Sequence, residues 1–222
     1  MAYILNIETS TKNCSVSLAH NGITLLCKEI SDQGYSHAEK LHLFIQELCE
    51  ETKVSLSELN AVAVSMGPGS YTGLRIGVSA AKGFCFAMDI PLIAIDTLTL
   101  LAHQLLNVEG GLIIPMIDAR RMEVYSAVFN SNKEMIRAVE AEILTENSFA
   151  NFTETLHFIG DSNEKAKTVL NNERYIFHDT IIYPSANQMS ALSFEKYLAK
   201  DFVDVAYFEP YYLKDFMMTT KK

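Results

Sequence analysis

Short alternating apolar runs open the chain. Residues 3–7 (YILNI) predict a strand, Glu8-Thr9-Ser10 a polar turn, residues 14–19 (CSVSLA) a second strand, and Asn21-Gly22 a tight hairpin into a third strand at 23–30. The period then changes from two to 3.6. Over residues 37–51, Ala38, Leu41, Phe44, Ile45, Leu48 and Cys49 fall within about 140° of a helix, with Leu43 on the opposite side. A strand at 61–65 (AVAVS), a glycine-rich loop, a helix at 72–88 and a strand at 92–95 after Pro91 complete the order βββαβαβ. The second helix carries two stripes. Leu74, Val78, Ala81, Cys85 and Met88 would cover a sheet, whereas Ile76, Ala80, Gly83 and Ala87 form a small-residue stripe elsewhere. That second stripe is expected to meet a partner helix at close range, the alternative being cover by the chain's own second half or a merely neutral face.

The design recurs from residue 112: IIPMI, an acidic turn at Asp118, EVYSAVF, a polar turn at 130–133, EMIRAVE, and later HFIG at 157–160. Asp118 follows its strand as Glu8 follows Ile7, and an Asn-containing turn closes each hairpin. An internal duplication of βββαβα is the expected reading, with chance likeness of two meanders as its alternative. Such paired units build the two-lobed α/β fold of actin-like ATPases (ribonuclease-H-like, ASKHA). No Gly/Ser/Pro linker separates the halves, so the lobes are expected to pack directly, with residues 1–100 as the first and 101–222 as a reduced second. A helix at 186–200 is expected before DVAYFEPYYLKDF, the closing segment that could fold back on the first lobe.

Composition changes the picture little. Hydrophobic residues make up 49% and charged residues 20% of the 222, as in a globular chain. Eighteen Lys and Arg against 27 Asp and Glu give a net charge of −9, the wrong sign for holding a phosphate backbone unaided. The four cysteines contain no CxxC pair, which favours free thiols over a zinc knuckle or disulfide framework. No basic n-region or long apolar stretch marks a signal peptide or membrane span, so a cytoplasmic location is expected.

The sharpest local feature is GPGSYTGLRIG at 67–77, between a strand and a helix. Gly67, Pro68, Gly69, Ser70, Thr72, Gly73 and Arg75 could line an anion cradle at the helix N-terminus, with Thr72 as N-cap. The run is neither a Walker A loop nor GxGxxG, and its glycines equally suit a tight turn and close helix packing. Glu8 and Asp118 would face the cleft between duplicated lobes, where such carboxylates orient magnesium or water; solvated turn acids are the alternative. His37 and His42 stand five apart and cannot share a metal as an i, i+4 pair would, and His20, His103, His157 and His178 read as isolated.

Taken together, ILNIETS at 4–10, GPGSYTGLRIG at 67–77, DAR at 118–120, EVY at 123–125 and PYYLK at 210–214 resemble the TsaB (YeaZ) family. These are adaptor subunits for threonylcarbamoyladenosine synthesis on tRNA, and the resemblance runs from the first strand nearly to the C-terminus. It implies the two-lobed actin-like fold and a non-catalytic subunit that binds and activates a TsaD-type catalytic paralogue. The paralogue carries a metal-binding histidine pair, four apart, where this chain has Asp96-Thr97-Leu98-Thr99-Leu100. No metal, no catalytic residue and no cofactor of its own is therefore expected. The complex would use ATP-derived threonylcarbamoyl-AMP and a TsaE-type small ATPase, and would meet tRNA only as a complex. Homodimerisation of the isolated chain and nucleotide in its cleft are left open. Leu43, Ile76, Ala80, Gly83 and Ala87 are the expected partner interface. The chain departs from the family at Leu41-His42-Leu43, where Leu-Leu-Pro is usual, and at Lys214, where Arg is usual.

A small ATP-dependent kinase of the same fold, pantothenate-kinase-like, is the rival reading. Those enzymes open with an Asp-x-Gly-x-Thr phosphate loop, and Glu8-Thr9-Ser10 lacks its glycine. A metallopeptidase would need metal ligands that the chain does not group together.

Overall fold

The computed structural model describes residues 1–31, 37–106, 108 and 110–214. Strands β1 (Tyr3–Glu8), β2 (Cys14–His20) and β3 (Ile23–Ile30) form an antiparallel meander. Asn21 and Gly22 turn its first hairpin with φ of 50° and 82°, a left-handed pair suited to that tight connection. After α1 (His37–Thr52), strand β4 (Leu59–Gly67) lies parallel to β1, and α2 (Tyr71–Met88) leads to β5 (Leu92–Asp96) beside β4. The sheet order is β3-β2-β1-β4-β5. Helix α1 begins with a buried His37 and an exposed Ala38, so the expected apolar stripe loses Ala38; Leu41, Ile45 and Leu48 remain its buried seam.

A short α3 (Thr97–Ala102), unforeseen in the sequence, bridges to the second half. There β6 (Leu112–Asp118), β7 (Glu123–Asn130) and β8 (Met135–Ile143) repeat the meander, and β9 (Leu156–Ile159) and β10 (Tyr175–Phe177) add in parallel. The resulting order, β10-β9-β6-β7-β8, reproduces the first sheet strand for strand, so the duplication is real. What the second copy lacks is helix. Turns occupy the place of α1, and α4 (Asn163–Ala166) is all that corresponds to α2.

Each sheet has two covered faces. In the first, Leu5, Ile7, Val62 and Val64 meet α1 and α2, while Ile4, Ala61, Ala63 and Ile93 meet Met189 and Leu192 of α5 (Met189–Ala199). Residues 186–188, expected within that helix, form a separate 3-10 turn. In the second, Phe158, Leu156 and Ile114 pack on Leu144, Phe149 and Leu170; the reverse face takes Leu98, Leu101 and Leu105 from α3 and its extension. Among the described residues no helix is long and apolar enough to cross a membrane.

Candidate functional site

The glycine loop is filled by its own chain. Ser70, not Thr72, caps α2: its Oγ accepts the Gly73 N–H at 3.3 Å, while Thr72 sits exposed in the first turn. The Ser70 N–H donates to the Ser10 carbonyl at 2.6 Å, and the Thr9 hydroxyl donates to the Gly73 carbonyl at 2.8 Å. A Cβ at Gly69 would overlap the Ser10 carbonyl oxygen, one at Gly73 the Thr9 carbonyl oxygen, and one at Gly77 the Thr9 hydroxyl. These glycines let α2 seat directly on the β1–β2 turn. The volume that a phosphate would need between them is occupied by Thr9 and Ser10.

The two acids at equivalent strand ends have different surroundings. Glu8 is wholly buried, its Oε1 accepting the Ser10 N–H at 2.6 Å and the Ser10 hydroxyl at 2.5 Å. Among the described residues its Oε2 and the hydroxyl of Ser65, which faces it from the neighbouring strand, make no hydrogen bond of good geometry. Loss of water raises its pKa from 4.5 to about 7, against smaller opposing pulls from Ser10 and Ser65. Neither an open cleft acid nor a solvated turn acid describes it, because the turn that follows folds over it. Asp118 is half-exposed, ion-paired to Lys165 and bonded to the Arg120 N–H at 3.1 Å.

A third acid was missed in the sequence. Asp161 accepts the Asp118 N–H at 2.8 Å, and burial raises its pKa to about 6, the Asp118 charge adding to the rise and Lys165 and Lys12 opposing it. Gly160, directly after β9, has φ 113°, as Gly67 at the end of β4 has φ 114°, so Gly160-Asp161-Ser162 stands where the glycine loop stands in the first lobe. Lys12 of the first lobe and Tyr183 both lie within electrostatic reach of Asp161.

Where the metal-bearing paralogue is expected to hold histidines, Asp96 is the N-cap of α3, accepting the Thr99 N–H at 2.7 Å. Among the described residues no group of three His, Cys, Asp or Glu side chains could hold a metal ion. His157 and His178, read as isolated, stack with Nδ1 and Nε2 3.0 Å apart, because β9 and β10 pair in parallel and bring the ends of two distant segments together. All four cysteines are free.

The outward face of α2 is turned from the expected stripe. Ile76 and Ala80 are half-buried and pack against the core, on the flank where Phe84 meets His42 of α1 at 6.0 Å between ring centroids. Gly83 and Ala87 are exposed; so are Ser79 and Phe86, the latter at 85%. Nothing lies within 4 Å of where a Gly83 Cβ would stand. Leu43 of α1 is also exposed.

Two duplicated sheets, a helix seated on the first strand turn and strand-end acids define a two-lobed protein of the actin-like ATPase fold. Residues 30–218 match the family model described as TsaD: tRNA N6-adenosine threonylcarbamoyltransferase. The chain is similar to the tRNA threonylcarbamoyladenosine biosynthesis protein TsaB of Haemophilus influenzae, 28% identical over 96% of this chain and 93% of that one. It is 33% identical to TsaB of Escherichia coli, over 60% of this chain and 57% of that one. The solved structure of YeaZ from Pseudomonas aeruginosa superposes with a TM-score of 0.81 at 26% identity, covering 96% of this chain and all (100%) of that one. The chain belongs to this family of tRNA threonylcarbamoyltransferase relatives, in its TsaB/YeaZ branch. The ethanolamine utilization protein EutJ from Carboxydothermus hydrogenoformans, at TM-score 0.50 and 11% identity, shares the fold alone.

Proposed function

We propose that this chain serves tRNA threonylcarbamoyladenosine synthesis as a non-catalytic subunit that binds and activates a TsaD-type transferase through the outer faces of α1 and α2. The observation that carries the reading is the seating of α2 on Thr9 and Ser10: the β1–β2 turn, where kinases of this fold carry their phosphate loop, is packed against the helix, with the Ser10 carbonyl bonded to the Ser70 N–H and the Thr9 hydroxyl to the Gly73 carbonyl. The same seating disfavours the kinase alternative. Names carried by the curated relatives support the pathway, and the bare face around Gly83, Phe86 and Leu43 supports binding as the task. On this reading threonylcarbamoyl-AMP is made and consumed by partners, a TsaE-type ATPase joins the assembly, and tRNA is met only there.

The test is a pair of arginine substitutions. Gly83→Arg adds its side chain into open space, so folding should be spared, while an approaching helix would have to bury or evade the charge. Co-purification with the transferase should fall by on the order of 100-fold in affinity. Val78→Arg, on the buried side of the same helix, should unfold the lobe instead. Normal capture by Gly83→Arg would place the partner elsewhere.

A further inference from the structure

After α5 the chain crosses both lobes. Val203 bridges to Leu92 at the edge of β5, its N–H donating to the Leu92 carbonyl at 3.0 Å. Asp204 then caps a single turn, accepting the N–H groups of Ala206 at 2.8 Å and Tyr207 at 3.0 Å. The carbonyls at the other end of that turn, Ala206 and Phe208, both accept from Lys82 of α2 at 3.0 Å. Val203, Val205 and Phe208 pack on the first core, which anchors this half of the segment.

Residues 209–214 are held by polar contacts and by one ring contact, Tyr212 with Tyr71 of α2 at 4.9 Å between centroids. Arg75, two turns before Lys82 on α2, donates from Nε to the Tyr212 hydroxyl at 3.2 Å, with its guanidinium 4.0 Å over the Tyr71 ring. The Tyr211 N–H donates to the Met66 carbonyl at 2.7 Å, beside the glycine loop, where a Gly67 Cβ would stand 2.6 Å from the Tyr211 carbonyl oxygen. Lys214 then pairs with Glu123 at the start of β7, in the second lobe. Each exposed contact is weak by itself. In series they tie α2, the end of β4 and the β6–β7 turn into one line. Between the segment and α2 lies an open groove of about 420 Å³, with Arg75, Ser79 and Lys82 on one side and Phe208, Glu209 and Tyr212 on the other.

We propose that residues 209–214 are a releasable strap that couples the outer face of α2 to the second lobe. Held down, it fixes the β6–β7 turn, and with it Asp118, relative to the glycine loop. Released, it frees that turn. A body docking on α2 beside the groove shifts the strap and is felt at the cleft; this last step rests on the scaffold reading above.

Amide hydrogen exchange on the full chain tests it. Tyr212→Phe deletes only a hydroxyl, and Arg75→Met removes the clasp from the α2 side. Both should speed exchange at Tyr211 and across residues 119–123 by roughly tenfold, with the β4 amides of Val62 and Val64 unchanged as the fold control. Glu123→Gln, at the far end, should release Tyr211 likewise. If these variants disturb only their immediate neighbours, there is no coupled strap. With the transferase subunit added, exchange in 209–214 and 119–123 should change together. A stable complex that leaves both segments unaltered overturns the coupling while the scaffold reading stands. Failure to form a complex overturns the scaffold reading, and the isolated-chain comparison still decides the strap.

Discussion

Glu8→Gln should make this protein more stable, and more so as pH rises. The folded pKa of Glu8 is raised to about 7 from 4.5 by burial. Below pH 4.5 the carboxyl is protonated in both folded and unfolded chains and exerts no pH-dependent effect. Between 4.5 and 7 the unfolded chain releases the proton while the folded chain holds it, so stability falls by about 1.4 kcal/mol per pH unit. Above pH 7 the loss is complete, at about 3 kcal/mol. Glutamine keeps the shape and cannot ionise. Its Oε1 can accept the two Ser10 bonds, and its amide can donate toward the Ser65 hydroxyl. Urea unfolding of both proteins at pH 5, 6, 7 and 8 isolates the effect, since every other carboxylate contributes equally to the two curves. The variant-minus-wild-type difference should grow from just under about 1 kcal/mol at pH 5 to about 3 kcal/mol at pH 8. A difference that stays flat with pH would mean that Glu8 is ionised throughout, and the burial argument would fail.

Gly73→Ala should lose about 1–3 kcal/mol, a fall in Tm of roughly 5 °C, because its Cβ would overlap the Thr9 carbonyl; Gly83→Ala, in open space, should be neutral or gain up to about 1 kcal/mol in the same thermal melt. Asp118→Ala should cost below about 1 kcal/mol, since the ion pair is half-exposed and Lys165 keeps the Arg121 and Glu123 carbonyls, and the reconstituted transferase assembly should stay within a few-fold of wild-type activity. Chain exposed to zinc or iron and then desalted should retain well under one equivalent by elemental analysis, with Asp96 engaged as a helix cap where the histidine pair would be needed.

The first lobe was legible because each of its elements carries its own period: alternation in β1 to β3, a left-handed Asn-Gly turn, and a 3.6-residue seam in α1 and α2. The second was legible only as a meander. Strand β10 has three residues and α4 has four, too short for any period to show, and both exist because β9 and the core around Phe158 hold them. Ser70 displaced Thr72 as cap because the helix starts at Tyr71, three residues before its apolar seam begins at Leu74. The outer stripe of α2 divides in the structure, because small residues suit contact with the chain's own core as well as with a partner: Ile76 and Ala80 are half-buried against the core, and Gly83 and Ala87 are exposed. Contacts set by distant pairing, such as His157 with His178 or Asp161 with the Asp118 N–H, leave no local trace.

The two lobes are interleaved rather than consecutive, and the sheet residues explain why. The face of the first sheet away from α1 and α2 presents Ala2, Ala61 and Ala63 beside Ile4, Ile93 and Ile95, a shallow apolar surface that needs large side chains laid over it. Met189, Leu192, Phe194 and Tyr197 of α5 provide them from the far end of the chain. Polar contacts fix where α5 lands. The Ser17 hydroxyl donates to the Ala186 carbonyl at 2.7 Å, the Ser185 hydroxyl to Glu29 at 2.6 Å, and the buried Asn6 amide to Ser17 at 3.0 Å and Ser190 at 3.5 Å. An apolar surface alone would accept a helix in several registers, whereas these buried donors are satisfied in one. The second sheet, with α3 on one face and turns on the other, needs no such long helix, so the duplicated unit could shed its own while the last helix and the segment after it completed the first lobe.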